Sequence, residues 1–374
     1  MSIAFILGAG FSRCAGLPVQ SEFSSLLLSD EFSSELDKAI TKILSTFLHD
    51  VFQWRVGSPM PELEDIFTCI DLSANTGHHL GIKYTPKLLR AIRRMAIYRI
   101  FSVLDQHFAI SSEISQLLQR TTPPSLSDSS FIVLNWDIVL EKHLARLGIG
   151  VDYQCDSLEW NKSSTGSAIK NPSVPVCKMH GSSNWVYCEN CKALFFDQSD
   201  KLSLRSKVGL VKFDFRLFDE KYSGKRFNEL LGIEPKMRKC RLCKNMVSSH
   251  IATFSYRKSF RTHAYSSIWH RAEDLLARSR HWIFIGYSLP RADFELKSLL
   301  KTAQLRYAHL APKAPVRTID VVVKGDAVRR DYEAFFGSTS FQYFNQGLDG
   351  YVSNLDHHIV LPGVPSHHVS KRTL

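Results

Sequence analysis

Four of the eight cysteines form two close pairs, Cys188-x-x-Cys191 and Cys240-x-x-Cys243. Four thiolates close the tetrahedral coordination shell of a structural zinc ion and leave no open position for catalysis. Two disulfides are disfavoured in a reducing cell, and thioredoxin-like redox chemistry needs only one pair. The spacing therefore predicts structural Zn²⁺ held by Cys188, Cys191, Cys240 and Cys243.

A glycine-rich turn near the start of the chain suits a dinucleotide. The run Gly8-Ala9-Gly10-Phe11-Ser12 follows an apolar stretch and precedes a predicted helix, a context in which the backbone can approach a diphosphate. The third glycine of the usual fingerprint would fall at position 13, where Arg13 stands. Taken alone, the turn is equally consistent with a tight strand-to-helix connection.

Asn135 and His180 have side chains that could act on a sugar or on water. Histidine can take up a proton because its unperturbed pKa is about 6.5, and an amide can orient a hydroxyl without changing charge. Asn135 directly follows the apolar run 131–134, and His180 precedes Gly181. The alternatives are turn residues at both positions and a helix N-cap at the neighbouring Asp137.

Apolar runs that alternate with helical patterns must position these residues. The runs 3–7, 131–134, 282–285 and 319–323 predict buried strands, and residues 294–306 predict a helix. Such alternation indicates an α/β fold with a Rossmann-like parallel sheet. A helical insert and a small zinc-ribbon module complete the predicted fold.

The pattern predicts three units along the chain. Residues 1–187 and 245–362 form the main α/β domain, interrupted by a helical insert at about 22–125. The zinc ribbon occupies residues 188–244, and residues 363–374 form a loose tail.

The 374 residues carry a formal net charge of +11, and the excess is local. Residues 192–261 hold 17 Lys and Arg against 7 Asp and Glu, so contact with nucleic acid is one possibility and a solvated face another.

The start of the chain lacks the features of an export signal, and no apolar run reaches the roughly 20 residues that cross a bilayer. We therefore expect a cytoplasmic protein without membrane contact.

Several short motifs, taken in order along the chain, resemble those of the sirtuin superfamily, in particular its prokaryotic sirtuin-like branch. They are Gly8-Ala9-Gly10-Phe11-Ser12 with Gly16-Leu17-Pro18, Leu134-Asn135-Trp136-Asp137, Met179-His180-Gly181, and Gly286-Tyr287-Ser288-Leu289-Pro290. The resemblance spans residues 8 to about 326. The first cysteine pair also follows His180 at the short distance found in zinc-binding sirtuins.

The resemblance implies that NAD is the substrate and that Asn135 and His180 are catalytic, His180 acting on the ribose hydroxyls and Asn135 positioning the sugar and water. It further implies an NAD-binding set that comprises Gly8, Ala9, Gly10, Phe11, Ser12, Asp137, Gly286, Ser288 and Lys324. Within this set, Gly286 and Ser288 would face the adenosine half, and Lys324 would flank the adenine.

Two departures separate the sequence from protein deacylases of the superfamily. Pro18 is followed by Val19-Gln20-Ser21 instead of Asp-Phe-Arg, and Leu134 replaces the usual glutamine before Asn135. The resemblance to the prokaryotic branch therefore implies an NAD hydrolase that depletes NAD in anti-phage defence, as a homo-oligomer or with a partner defence protein. A deacylase or ADP-ribosyltransferase, and a non-enzymatic module that binds nucleotides or nucleic acid, remain the alternatives.

Overall fold

The computed structural model describes residues 2–75, 80–121, 128–160, 172–197, 210–219, 239–251, 263–290, 293–310, 316–338 and 340–354. The predicted tail at 363–374 and most of the basic segment 192–261 lie outside these residues. No helix in the described ranges has the length and apolar character that a bilayer span requires.

The described part of the chain contains strands in two sheets and helices around them. The strands are β1 (Ile3–Leu7), β2 (Ser129–Val133), β3 (Gly150–Asp152), β4 (Ser157–Glu159), β5 (Ser173–Lys178), β6 (Gly181–Tyr187), β7 (Leu194–Phe196), β8 (Ser248–Ile251), β9 (His281–Ile285), β10 (Thr318–Val322) and β11 (Gln342–Phe344). The helices are α1 (Ala9–Arg13), α2 (Gln20–Leu26), α3 (Glu35–Phe52), α4 (Leu63–Asn75), α5 (Pro86–His107), α6 (Ser112–Thr121), α7 (Val139–Arg146), α8 (Lys212–Arg216), α9 (His263–Arg278), α10 (Phe294–Leu310), α11 (Arg329–Phe336) and α12 (Gly347–Ser353).

The larger sheet has seven strands in the order β11-β10-β9-β1-β2-β5-β3, and every neighbouring pair is parallel. All five residues of β1 are buried, because β1 is central and helices cover both faces of a parallel sheet. After β1, the chain adds β2, β3 and β5 on one side of β1, and later adds β9, β10 and β11 on the other side. The carboxyl ends of β1 and β9 therefore form a topological switch point, where open α/β sheets bind ligands.

Helices α2 to α6 lie between β1 and β2 and form the helical insert. The longest of them, α5, begins with Thr85 as N-cap and Pro86 in its first turn, both favourable at a helix start. Arg99 of α5 is fully buried, where it pairs with Asp37 of α3 at 3.3 Å and stacks on the ring of Phe32. This buried pair fixes α5 against α3.

The smaller sheet has four strands in the order β4-β7-β6-β8. Strand β6 begins directly after His180 and ends directly before Cys188, so one strand joins the predicted catalytic histidine to the first cysteine pair. The predicted fold class is confirmed: a Rossmann-like parallel sheet with a helical insert and a small module around the four cysteines.

Candidate functional site

The loops after β1, β2 and β5 meet at the carboxyl edge of the large sheet. Backbone pairing continues one residue past the strands, since Leu134 N–H donates to Leu7 O and Met179 N–H donates to Val133 O, both at 3.0 Å. Gly8, Asn135 and His180 are the next residues of these three loops. The register of the sheet thus places them side by side.

Asn135 is half-buried, and its amide nitrogen is tied to the glycine turn. Nδ2 donates to Gly8 O and to Ser12 Oγ, each at 2.8 Å. The two bonds fix the orientation of the carboxamide, and Oδ1 accepts no bond from any described residue. Asn135 therefore presents a fixed acceptor to a hydroxyl or a water.

The Asp137 carboxylate contacts both the start of α7 and the glycine turn. Its Oδ1 accepts from Val139 N–H at 3.0 Å at the start of α7, whose N-cap is the intervening Ile138. Its Oδ2 accepts from Ser12 Oγ at 2.7 Å. Because the Ser12 hydroxyl donates to Asp137, its lone pair accepts from Asn135, so Asp137 orients Asn135 through Ser12.

His180 is half-buried, and its Nδ1 lies 3.0 Å from Leu134 O. A carbonyl oxygen can only accept, so Nδ1 carries a proton, and in the neutral form of the ring Nε2 is the nitrogen that can take up another. The contact also ties the imidazole to the residue before Asn135. The orientation of the His180 ring is thus fixed beside Asn135.

Gly8, Gly10 and Gly286 allow two loops to touch. Gly8 N–H donates to Ile285 O at 3.0 Å and Gly10 N–H donates to Gly286 O at 2.8 Å. A Cβ on Gly286 would lie 2.3 Å from backbone atoms of Gly10 and Phe11, and its φ of +62° favours glycine. The glycines therefore hold the ends of β1 and β9 together, and the N–H groups of Gly8 and Gly10 already have protein acceptors.

Gly286→Ala is expected to destabilise the protein by about 3–5 kcal/mol, because the added methyl must push two backbones apart. Gly148→Ala is the matched control, since Gly148 has a similar φ of +70° but open space around its Cα. The control is expected to cost only the left-handed backbone penalty of about 1–2 kcal/mol. Urea unfolding of both variants measures the difference, and equal losses would show that the close approach is not required.

The other predicted NAD-binding residues lie around this turn. Phe11 is buried, whereas Ala9 is partly exposed and its N–H has no acceptor among the described residues. Ser288 and Lys324 are exposed in the loops after β9 and β10. No hydrogen bond in the described ranges joins Ser288 or Lys324 to the Asn135 cluster, although all lie at the carboxyl edge of the same sheet.

The thiol of Cys14 follows α1 close to this turn. Burial raises its pKa to about 11, and the carboxylates of Glu113 and Asp349 act in the same direction. A thiol with that pKa is protonated at neutral pH and is a poor nucleophile. Cys14 is an exposed residue, and this shift makes its thiol less reactive than an ordinary cysteine.

The four predicted zinc ligands come together. Their Sγ atoms all lie within 4.8 Å of one another, with 3.4 Å between Cys188 and Cys243 and 3.5 Å between Cys191 and Cys240. These separations exceed the roughly 2.05 Å of a disulfide and are close to the ~3.8 Å between thiolates around tetrahedral zinc. The geometry fits a four-thiolate metal site.

The two cysteine pairs have the same backbone geometry. Lys192 N–H donates to Cys188 O at 2.8 Å, and Lys244 N–H donates to Cys240 O at 2.9 Å. Both lysines have a left-handed φ, +61° and +63°. The Asn245 side chain donates to Cys243 Sγ and holds the pKa of that thiol at about 5. Two matching turns that bring four thiols to one point are what a metal bound by both pairs requires.

Sequence reasoning missed a buried ion pair beneath this site. Lys178, two residues before His180, is wholly buried, and its Nζ lies 3.4 Å from Glu141 Oε1 of α7. The sequence feature that could have indicated it is Lys178, a charged residue at the end of a largely apolar strand. Its partner could not be read off, because only the fold brings α7 against β5.

No protein-family model matches the chain, and no curated protein matches it. Solved structures of sirtuins are similar to it over most of its length. A Sir2–p53 peptide–NAD⁺ complex is 13% identical, with a TM-score of 0.44 over 95% of this chain and 92% of that one. A Sir2 homologue–NAD complex is also 13% identical, with a TM-score of 0.43 over 95% and 90%. At such identities and TM-scores, the chemistry has to be argued from the residues of this chain.

Proposed function

We propose that the protein cleaves NAD between nicotinamide and ribose and passes the ribose to water. The observation that carries this proposal is the chain Asp137–Ser12–Asn135, anchored on Gly8 O, with His180 fixed on the adjacent Leu134 carbonyl. A rigid acceptor and an imidazole of fixed orientation, both at the carboxyl edge of the sheet beside the switch point, suit attack on a nucleotide sugar. The motif resemblance to sirtuin-like enzymes supports the same reaction.

The reaction breaks one N-glycosidic bond and forms one C–O bond. As nicotinamide leaves with the bonding electron pair, positive charge develops on the ribose, and Oδ1 of Asn135 holds the attacking water or a ribose hydroxyl. Nε2 of His180 accepts the proton that the water releases and returns it to solvent. The products are ADP-ribose, nicotinamide and one proton.

NAD would lie across the ends of β1 and β9. Its diphosphate would approach the turn from Gly8 to Ser12, where the Ala9 N–H is available as a donor. The adenosine half would extend toward Gly286 and Ser288, with Lys324 beside the adenine. This arrangement leaves the nicotinamide ribose next to Asn135 and His180.

Zinc bound by Cys188, Cys191, Cys240 and Cys243 would be structural. Four thiolates complete its coordination, so it supplies cross-linking of the two turns and no activated water. The cysteine turns themselves hold β6, the strand that leaves His180. The zinc site would therefore stabilise His180 through β6 without contacting the substrate.

An enzyme that consumes NAD without an acceptor peptide would be toxic unless it is restrained. We therefore propose a regulated effector of anti-phage defence that acts in the cytoplasm, controlled through a homo-oligomer or a partner defence protein. This part of the proposal rests on the motif resemblance. Nucleic acid bound by the basic segment 192–261 is a further candidate partner.

Incubation of the purified protein with NAD, with and without an acetylated peptide, tests the reaction. We expect equal amounts of nicotinamide and free ADP-ribose without any peptide. Nicotinamide release that requires the peptide would instead indicate a deacylase, and ADP-ribose bound to protein would indicate a transferase. If NAD binds but is not cleaved, either by the purified protein or in expressing cells, the protein would be a non-enzymatic binding module.

A separate measurement addresses the nucleic-acid alternative. Binding to the basic segment should weaken steeply as salt increases, because it depends on release of counterions. The absence of binding at low salt would remove nucleic acid from the candidate partners.

A further inference from the structure

Lys178 is a charged residue in an unusual place. It ends β5 with its side chain fully buried, and it precedes His180 by two residues. A buried ammonium is costly unless it is paired and hydrogen-bonded. The Lys178 ammonium pairs with Glu141 and donates to the backbone carbonyl of Asp137.

The Asp137 carbonyl links the buried lysine to the site. Lys178 Nζ donates to this carbonyl oxygen, while the carboxylate of the same residue accepts from Ser12 and from Val139 N–H. Lys178 therefore fixes the backbone of the residue that orients Asn135 through Ser12. A shift of this carbonyl would move both ends of the Asp137–Ser12–Asn135 chain.

Glu141 holds the lysine in position from the opposite side. It lies 3.4 Å from Lys178 on α7, and Tyr153 OH donates to its Oε1 at 3.2 Å. Burial raises the pKa of Glu141. Tyr153 OH in turn accepts from Asn184 of β6 at 2.9 Å, so the pair is anchored to the strand that leads to the cysteines.

A buried ion pair is weak evidence for stability, since well-packed apolar residues of similar volume can be as stable. We propose that Lys178, held by Glu141, is a positioning residue for the reaction: it fixes the Asp137 carbonyl and through it the Asn135 amide. This inference rests on the proposed function for its effect on rate. Its structural half, the rigidity of the loop 135–138, can be measured without any activity.

Removing both charges together separates positioning from stability. The double variant Lys178→Met with Glu141→Gln leaves no unpaired buried charge, so we expect it to fold with a melting temperature near that of the wild type. Its kcat for NAD should nevertheless fall about 10²-fold with KM changed less than about threefold, because the lost contact orients the transition state. Single Glu141→Gln keeps the amine near the Asp137 carbonyl and should lose less.

Lys301→Met is the matched control. Lys301 is another lysine that donates to a backbone carbonyl, that of Phe335, and burial lowers its pKa. It joins α10 to α11 and touches none of the site residues. Its replacement should change stability and leave kcat unchanged.

Hydrogen exchange decides the structural half. In the double variant, backbone amides of residues 136–139 should exchange at least about 10-fold faster than in the wild type, with those of β1 unchanged. Unchanged exchange in this loop would overturn the inference whether or not the wild type cleaves NAD. Faster exchange with an unchanged kcat would also overturn it. A wild type that never cleaves NAD would overturn the proposed function and the claimed effect on rate, leaving only the measured loop contact.

Discussion

Asn135→Ala and His180→Ala are each expected to lower the rate of nicotinamide release by about 10²–10⁴-fold. Without Asn135, the water and ribose lose the acceptor fixed by the bonds from Nδ2 to Gly8 O and Ser12 Oγ. Without His180, the attacking water loses the imidazole proposed to take up its proton. Nicotinamide release by the purified variants measures both effects.

The same variants test the proposal in cells. During phage challenge, NAD should fall in cells with the wild type and remain high in cells with either variant. Asn354→Ala and His309→Ala are controls, since both residues are exposed outside the site, and NAD should fall as in the wild type. Equal NAD levels in wild type and both site variants, under conditions that activate the wild type, would contradict the proposed chemistry.

Folding has to be compared alongside the rates. Asn135→Ala removes two hydrogen bonds, which should lower the free energy of unfolding by about 1–3 kcal/mol. A loss of that size leaves the variant folded, and thermal unfolding of each variant checks this. A rate that falls only in proportion to the unfolded fraction would assign Asn135 a structural role.

The apolar runs predicted the central strands because both faces of those strands are buried. Runs 3–7 and 282–285 agree with β1 and β9 within one residue. Strand starts were missed where polar residues are buried with partners: His281 lies 3.0 Å from Asp320, and the Ser129 hydroxyl donates to Thr121 O at 3.2 Å. Hydropathy alone cannot find a polar residue whose partner is far away in sequence.

Strand β6 shows the same limit more strongly. All seven of its residues are buried, although Ser182, Ser183 and Asn184 are polar. The sequence predicted the cysteine turns from spacing but gave no sign of the sheet that connects them to His180. Alternation of hydrophobic residues marks a half-exposed strand, and a strand covered on both sides need not show it.

The proximity of Asn135, Ser12 and Asp137 could be predicted from parallel strands that end at one edge. The use of Gly8 and Gly10 N–H groups by Ile285 and Gly286 could not, because it depends on how close two loops come. The glycine fingerprint predicted a backbone that approaches a diphosphate, and that contact stays a prediction. In the structure, the glycine turn contacts the loop that contains Gly286. A diphosphate bound at this turn would have to fit beside that loop.

Cys240→Ser is expected to remove stoichiometric zinc from the protein. Cys240 Sγ is buried and lies within 4.8 Å of the three other thiols, so no neighbouring side chain of the cluster can replace it without a rearrangement. Binding of structural zinc contributes about 10–16 kcal/mol in small zinc modules, and much of that energy is folding energy. The sheet β4-β7-β6-β8 should therefore loosen, and the midpoint of thermal unfolding should fall.

Cys69→Ser provides the matched control, because Cys69 is a half-buried thiol of α4 outside the cluster. It should keep one zinc per chain, as measured by elemental analysis after dialysis against a weak chelator. The loss of zinc from Cys240→Ser should also slow NAD cleavage, since β6 leads from Cys188 back to His180. If Cys240→Ser retained one metal ion and the unfolding midpoint of the wild type, the four thiols would not be the ligands, and the support of His180 would have to come from the packing of β6 alone.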